Sequence, residues 1–136
     1  MRNTVLTALV ILALAIPGLS QAPASAIVSL KYVAAADALA ADNFANAKAA
    51  LAGLANESQG DLKIKAQAAA DAANIAAMRK AFKPLSEAIV KLNLPAGYSV
   101  AFCPMFEKGS SWVQKDGKIA NPYYGKTMLT CGEFRK

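Results

Sequence analysis

The chain has 136 residues, enough for one domain, with 15 Lys and Arg against 9 Asp and Glu and a net charge of +6. It contains two Cys, four Met and no His. The lack of His excludes a Ser-His-Asp triad, a Cys-His pair, a zincin motif and any His-ligated metal site. The modest positive charge is typical of a solvated surface, and we predict no nucleic-acid partner.

Residues 1–22 have the pattern of a secretory signal peptide. Arg2 precedes an apolar run from Val5 to Ile16, and cleavage sites with small residues follow at Ser20-Gln21-Ala22 and at Ala24-Ser25-Ala26. The apolar run is shorter than the roughly 20 residues that span a bilayer, so we expect no stable membrane anchor after cleavage. The alternative is that the segment is not cleaved and anchors the protein. Cleavage after Ala22 leaves 114 residues and lowers the net charge to +5. We predict a periplasmic or secreted protein.

Residues 27–93 are rich in alanine and have the periodicity of helices. Breaks are predicted at Asp42-Asn43 and over residues 56–60, with Asp61 as an N-cap, and Pro84 should kink the last helix or mark a boundary. We predict an all-α fold, a small antiparallel bundle of three to four helices. The residues that recur at steps of three and four, and should face the core, are Val28, Tyr32, Ala35, Leu39, Phe44, Ala47, Leu51, Leu54, Ile75, Met78, Phe82, Leu85, Ile89 and Leu92.

Residues 94–136 form a tail of different composition, which holds seven of the ten aromatic residues and both cysteines. We predict an irregular tail that packs on the bundle as part of one domain, with a short strand at 100–102. A small β-hairpin is expected to turn at Asp116-Gly117, and Gly125 and Gly132 should occupy turns with positive φ. Long segments with little regular structure are usually functional, so we seek the function in this tail.

Two sulfur clusters lie in the tail, Cys103-Pro104-Met105 and Met128-Leu129-Thr130-Cys131. Thiolate and thioether sulfurs are soft ligands that select Cu(I) or Ag(I), whereas thioethers are rare among zinc ligands. If the clusters converge, the predicted metal ligands are Cys103, Met105, Met128 and Cys131. Trp112 is a candidate metal-facing aromatic residue, because the face of its ring attracts cations.

Two other interpretations of the cysteines remain open. An even number of cysteines in an exported protein is typical of a disulfide, and a Cys103–Cys131 bond would stabilise the fold by about 3–4 kcal/mol. The protein would then be a structural or protein-interaction module. A thiol oxidoreductase is the second alternative, although the cysteines do not form a C-x-x-C motif. No pair of carboxylates has catalytic spacing, and we predict that the protein is not an enzyme.

The order of motifs in the tail resembles an exported domain family without an assigned function. That family occurs alone behind signal peptides and also fused to periplasmic adaptor subunits of copper/silver RND efflux systems. Its C-P-M, G-x-x-W, N-P-Y-x-G and M-L-x-C-G motifs match residues 103–105, 109–112, 121–125 and 128–132. The family's R-x-x-F-x-x-L-S segment matches Arg79 to Ser86 in the predicted last helix.

The resemblance implies a helical domain whose Cys/Met tail handles heavy metals. When the family's motifs are carried over by position, the implied metal ligands are again Cys103, Met105, Met128 and Cys131. The implied partners are a soft metal ion and a periplasmic efflux or copper-maturation protein. The Cys-Pro-Met element also resembles a short heavy-metal-binding segment of such adaptors and of copper ATPases. That segment usually has His after the Met, where this chain has Phe106. We expect none of the other domains of an efflux adaptor in these 136 residues.

Overall fold

The computed structural model describes residues 24–136, with side chains from residue 30 onward. The predicted signal peptide, residues 1–22, lies outside the described residues. Four helices come first, α1 (Ala24–Ala40), α2 (Phe44–Glu57), α3 (Gly60–Ala70) and α4 (Ile75–Ile89). Each helix packs against the next, and the short connections require neighbouring helices to run in opposite directions. The predicted bundle is therefore present, with four helices.

The helix boundaries follow from side-chain caps and turns. Asn43 caps α2 by accepting a hydrogen bond from the backbone N–H of Asn46, as the predicted break at Asp42-Asn43 requires. Asn74 caps α4 in the same way. The prediction of Asp61 as an N-cap is wrong: Gln59 holds that position and Asp61 lies in the first turn of α3, where its negative charge favours the helix N-terminus. No helix boundary falls at Pro84, since α4 continues through it.

The core contains most of the predicted apolar stripe. Every residue of that stripe from Ala47 through Leu54 and from Met78 through Ile89 is buried. Phe44, Ile75 and Leu92 are partly buried at its edge, and the side chain of Val28 lies outside the described part. Met78 is fully buried, which confirms it as a core residue.

The tail forms a three-stranded antiparallel sheet, so the all-α prediction is correct for the bundle and wrong for the tail. Strands β1 (Tyr98–Cys103), β2 (Ser110–Lys115) and β3 (Glu133–Phe134) lie in the order β2-β1-β3. The strand predicted at 100–102 lies within β1. The predicted hairpin at Asp116-Gly117 is wrong, because the loop at 104–109 closes the hairpin of β1 and β2. Positive φ angles at Glu107, Lys108 and Gly109 reverse the chain there.

The sheet and the bundle share one core. Strand β2 packs against α4 and α1, and it contributes Trp112 and Val113 to the buried cluster. Tyr32 of α1 stacks on Phe82 of α4, with ring centroids 5.0 Å apart. Phe82 in turn contacts Tyr123 of the tail, with ring centroids 6.0 Å apart. Aromatic residues of the tail and of the bundle are thus in direct contact.

Arg79 of α4 joins the tail to the end of α1. Its guanidinium group donates hydrogen bonds to the backbone carbonyls of Leu39 at 2.8 Å and Pro122 at 2.9 Å, and to the carboxylate of Asp42 at 2.6 Å. Hydrogen bonding to Arg79 is the main reason that the pKa of Asp42 lies below its ordinary value. Gly125 has a φ of 59°, and a Cβ there would collide with the side chains of Asp42 and Arg79.

Candidate functional site

The fold brings the two cysteines together. Cys103 is the last residue of β1, and Cys131 lies just before β3, which pairs with β1. Their sulfur atoms are 3.0 Å apart, although the residues are separated by 28 positions, and both thiols are free. Cys103 is fully buried, whereas Cys131 is partly exposed. The sequence left open whether the two sulfur clusters converge, and the fold brings the two cysteine sulfurs together.

The loop after β1 surrounds the sulfur of Cys103 with hydrogen-bond donors. Burial acts to raise the pKa of this thiol. Hydrogen bonds from Cys131, from the backbone N–H groups of Met105 and Phe106 and from Asn121 outweigh burial, so the pKa lies below its ordinary value. Cys103 is therefore the residue of the pair that ionises first, and its thiolate is stabilised before any ligand arrives.

Cys131 has the opposite character. Its thiol hydrogen-bonds to the sulfur of Cys103, which favours the protonated form, and burial and the charge of the Cys103 thiolate act in the same direction. The pKa of Cys131 consequently lies above its ordinary value. The site thus combines a buried thiol whose pKa is lowered with a more accessible thiol whose pKa is raised.

Asn121 fixes the chain segment that carries Cys131. Its buried side-chain amide donates to the backbone carbonyl of Cys131 at 2.7 Å and accepts from the backbone N–H groups of Tyr123 at 2.8 Å and Tyr124 at 3.3 Å. Its own backbone N–H donates to the carbonyl of Leu129 at 2.8 Å. The Asn of the N-P-Y-x-G motif therefore positions the turn that contains Met128 and Cys131.

The loop that carries Cys103 is held by aromatic residues of the same motif. The Tyr124 hydroxyl donates to the backbone carbonyl of Met105 at 3.0 Å, and Phe106 stacks on Tyr123 with ring centroids 4.7 Å apart. Phe106 also lies edge-on to Tyr124. At the position where the resembling segment usually has His, Phe106 is thus a packing residue that fixes the loop.

Both predicted methionine ligands lie beside the cysteines in the chain and are accessible. Met105 is 62% exposed and Met128 is 37% exposed. Cys131 donates its backbone N–H to the carbonyl of Met128 at 3.0 Å, so those two residues belong to one turn. Both methionine side chains are thus accessible on the chain segments that carry the cysteines, and Leu129 and Phe134 are also exposed.

Trp112 lies in the core next to this site. It is fully buried, donates from its indole nitrogen to the side chain of Gln114 at 3.0 Å and lies edge-on to Tyr123. A Cβ on Gly132 would come within 2.8 Å of the Trp112 ring and 2.9 Å of the Phe102 carbonyl. The Trp112 ring therefore packs against the backbone at Gly132, directly after Cys131. That Trp112 faces a bound metal ion stays a prediction.

Other metal ligands are scarce around the thiols. Over residues 24–136 the structure shows no group of three or more His, Cys, Asp or Glu side chains that could hold a metal ion. A sulfur-based site would thus depend on the two thiols and the methionines.

Over residues 24–136, no helix is long and apolar enough to cross a membrane.

Sequence reasoning did not identify Asn121 and Arg79 as the residues that hold the site together. Both residues were marked only by the motifs that resemble the exported domain family. Comparison with protein-family models, with curated proteins and with solved structures found no match.

Proposed function

We propose that the protein binds a soft monovalent metal ion, Cu(I) or Ag(I), through Cys103 and Cys131, and that it sequesters the ion or passes it to a periplasmic efflux or copper-maturation partner. The observation that carries the proposal is the pair of free thiols 3.0 Å apart, one of them with a lowered pKa. Thiolate is the ligand form of cysteine, so a lowered pKa favours metal binding.

The methionines support the choice of a soft ion. Met105 and Met128 lie on the two turns that carry the cysteines, and both side chains are accessible. Thioethers add affinity for Cu(I) and Ag(I) and little for hard cations. The resemblance of the tail to a domain family found beside copper and silver efflux adaptors points to the same ions.

The test is a competition for Cu(I) between the reduced protein and a chromogenic chelator. Cys103→Ser should weaken Cu(I) binding by more than about 100-fold, since even outer-shell changes cost 10- to 100-fold. Met128→Leu should weaken it by roughly tenfold, because one soft ligand is lost.

Met78→Leu is the matched control, since Met78 is buried in α4 and the exchange conserves its volume. It should leave Cu(I) affinity unchanged. Unchanged affinity in both Cys103→Ser and Met128→Leu would remove the proposed site.

A structural role is the second candidate function. The separation of 3.0 Å between the sulfurs is only about 1 Å longer than a disulfide bond of about 2.05 Å, so oxidation needs little movement. The protein would then be a disulfide-stabilised interaction module. A thiol oxidoreductase has less support, because its attacking thiol should be both accessible and of low pKa. Here the low-pKa thiol is buried and the accessible thiol has the raised pKa.

A further inference from the structure

The distance between the two sulfurs restricts the geometry of any ion they hold together. With a metal–sulfur bond of about 2.3 Å, as for zinc thiolates, a linear two-sulfur site needs sulfurs roughly 4.6 Å apart. At the observed 3.0 Å, the same bond length gives an S–M–S angle of about 80°. Linear Cu(I) binding therefore requires Cys131 to move outward, whereas a bent two-sulfur chelate requires little movement.

Trivalent arsenic and antimony are thiophilic centres whose pyramidal bonding has angles near a right angle. Two thiolates satisfy two of their three bonds, and the third is filled by a hydroxide or an organic group that the ion brings itself. This suits a site in which, over the described residues, no third Cys, His, Asp or Glu joins the pair. The narrow angle and the small ligand set thus favour the same kind of ligand.

We propose that the reduced Cys103–Cys131 pair also chelates trivalent arsenic or antimony, supplied as the neutral hydroxide. In this condensation two As–S bonds form and two As–O bonds break. The two thiol protons leave with the two hydroxide groups as two molecules of water, and arsenic stays trivalent throughout. No oxidant or reductant is consumed.

The different environments of the two thiols give this reaction an order. Cys131 is the partly exposed thiol, so it forms the first As–S bond. The thiol of Cys103, 3.0 Å away, then closes the chelate. The second step is intramolecular, and tethering of this kind raises affinity by 10²- to 10⁴-fold over a single thiol.

The probes are phenylarsine oxide and arsenite, added to the reduced full chain, with intact mass and thiol alkylation as readouts. Wild type should bind one arsenic per chain and lose both reactive thiols together. Cys131→Ala should bind at least about 100-fold more weakly, because it forms one bond only. Cys103→Ala should bind arsenic as weakly as Cys131→Ala does. If Cys103→Ala fails to fold, the affinity of Cys131→Ala alone tests the chelate, since Cys131 is the more exposed residue.

This inference rests on the same thiol pair as the proposed function but not on Cu(I) binding, and Met128→Leu separates the two. The variant should keep its affinity for phenylarsine oxide while its affinity for Cu(I) falls. Chelation of arsenic without Cu(I) binding would refute the proposed function alone. Equal arsenic affinity in wild type and Cys131→Ala, or alkylation of both thiols in the presence of the probes, would overturn the chelate.

Discussion

Cys103 and Cys131 have unequal acidity because their surroundings differ. Cys103 accepts hydrogen bonds from two backbone N–H groups of the following loop, in addition to those from Cys131 and Asn121. Cys131 has the Cys103 sulfur as its main neighbour, and that sulfur favours the protonated form of Cys131. The negative charge of the pair is therefore concentrated on the buried sulfur, where the loop can stabilise it.

We predict that the reduced protein releases its two thiol protons in separate steps, one below and one above the ordinary pKa of 9.0. Cys131→Ala should raise the pKa of Cys103, because a donor is lost, whereas Cys131→Ser keeps a hydroxyl donor and should raise it less. Thiolate absorbance against pH measures both steps. Identical titration of the Ala and Ser variants would contradict the role of this hydrogen bond.

The sign of the pH dependence of stability follows from the same shift. A lowered pKa in the folded state means that Cys103 contributes stability above pH 9.0, and that this contribution is lost as the pH falls through its folded pKa. Cys131, whose pKa is raised, acts in the opposite sense, because its contribution is lost as the pH rises through its folded pKa. The Cys103 contribution is therefore measured as the pH-dependent difference in unfolding free energy between reduced wild type and Cys103→Ala, and a difference that does not vary with pH would contradict it.

The sulfur site depends on how closely the strands and turns of the tail approach one another. Gly132 lies directly after Cys131, has a φ of 139° and leaves no room for a Cβ between the Trp112 ring and the Phe102 backbone. This contact sets how near the segment after Cys131 lies to β1. The backbone of the tail, rather than its side chains alone, therefore keeps the two sulfurs adjacent.

We predict that Gly132→Ala is more destabilising than Gly117→Ala. Gly117 has nearly the same φ, 141°, but nothing lies within 4 Å of a Cβ built there. Gly117→Ala should cost about 1–3 kcal/mol from backbone strain, and Gly132→Ala should add about 1–3 kcal/mol from the collision. Urea denaturation measures both values. Equal losses would show that the contact with Trp112 and Phe102 is not required.

At the scale of elements, the sequence was sufficient for the helices and insufficient for the sheet. The periodic apolar stripe predicts α2 and α4 because each helix carries its own repeating face. The strand that pairs with β2 could not be predicted from the residues around β2. Asp116-Gly117 is a strong turn signal and indicates pairing with the following residues, yet Trp112 lies opposite Ala101 on the preceding strand. The turn at 104–109 was hidden because Glu107 and Lys108 are not typical residues for positive φ.

At the scale of the whole molecule, the thiol pair bridges distant parts of the tail, which in turn is fastened to the bundle. Arg79 joins the tail to the end of α1, and the aromatic core connects β2 with α4. The sequence predicted four candidate sulfur ligands, left their convergence open, and predicted a tail that packs on the helices. It did not predict the roles of Arg79 and Asn121, since each binds backbone carbonyls that only the folded chain brings near.

We predict that oxidation to a Cys103–Cys131 disulfide stabilises the whole fold. Closing a loop of this length restricts the unfolded chain and should contribute about 3–4 kcal/mol, raising the Tm by roughly 10 °C or more. Thermal unfolding with and without a reductant measures the difference. Cys131→Ala should show no such difference, and an unchanged Tm of wild type on reduction would exclude a stabilising disulfide.

The placement of Cys131 has a consequence for how the pairing of β3 with β1 can be followed. The sequence contains two cysteines, so only one intramolecular pairing exists and a wrong disulfide cannot form within a single chain. Cys131 reaches Cys103 when the last residues of the chain join β1 through β3. While β3 is unpaired, Cys131 is not held next to Cys103, so cross-linking of the two thiols reports that β3 has joined β1.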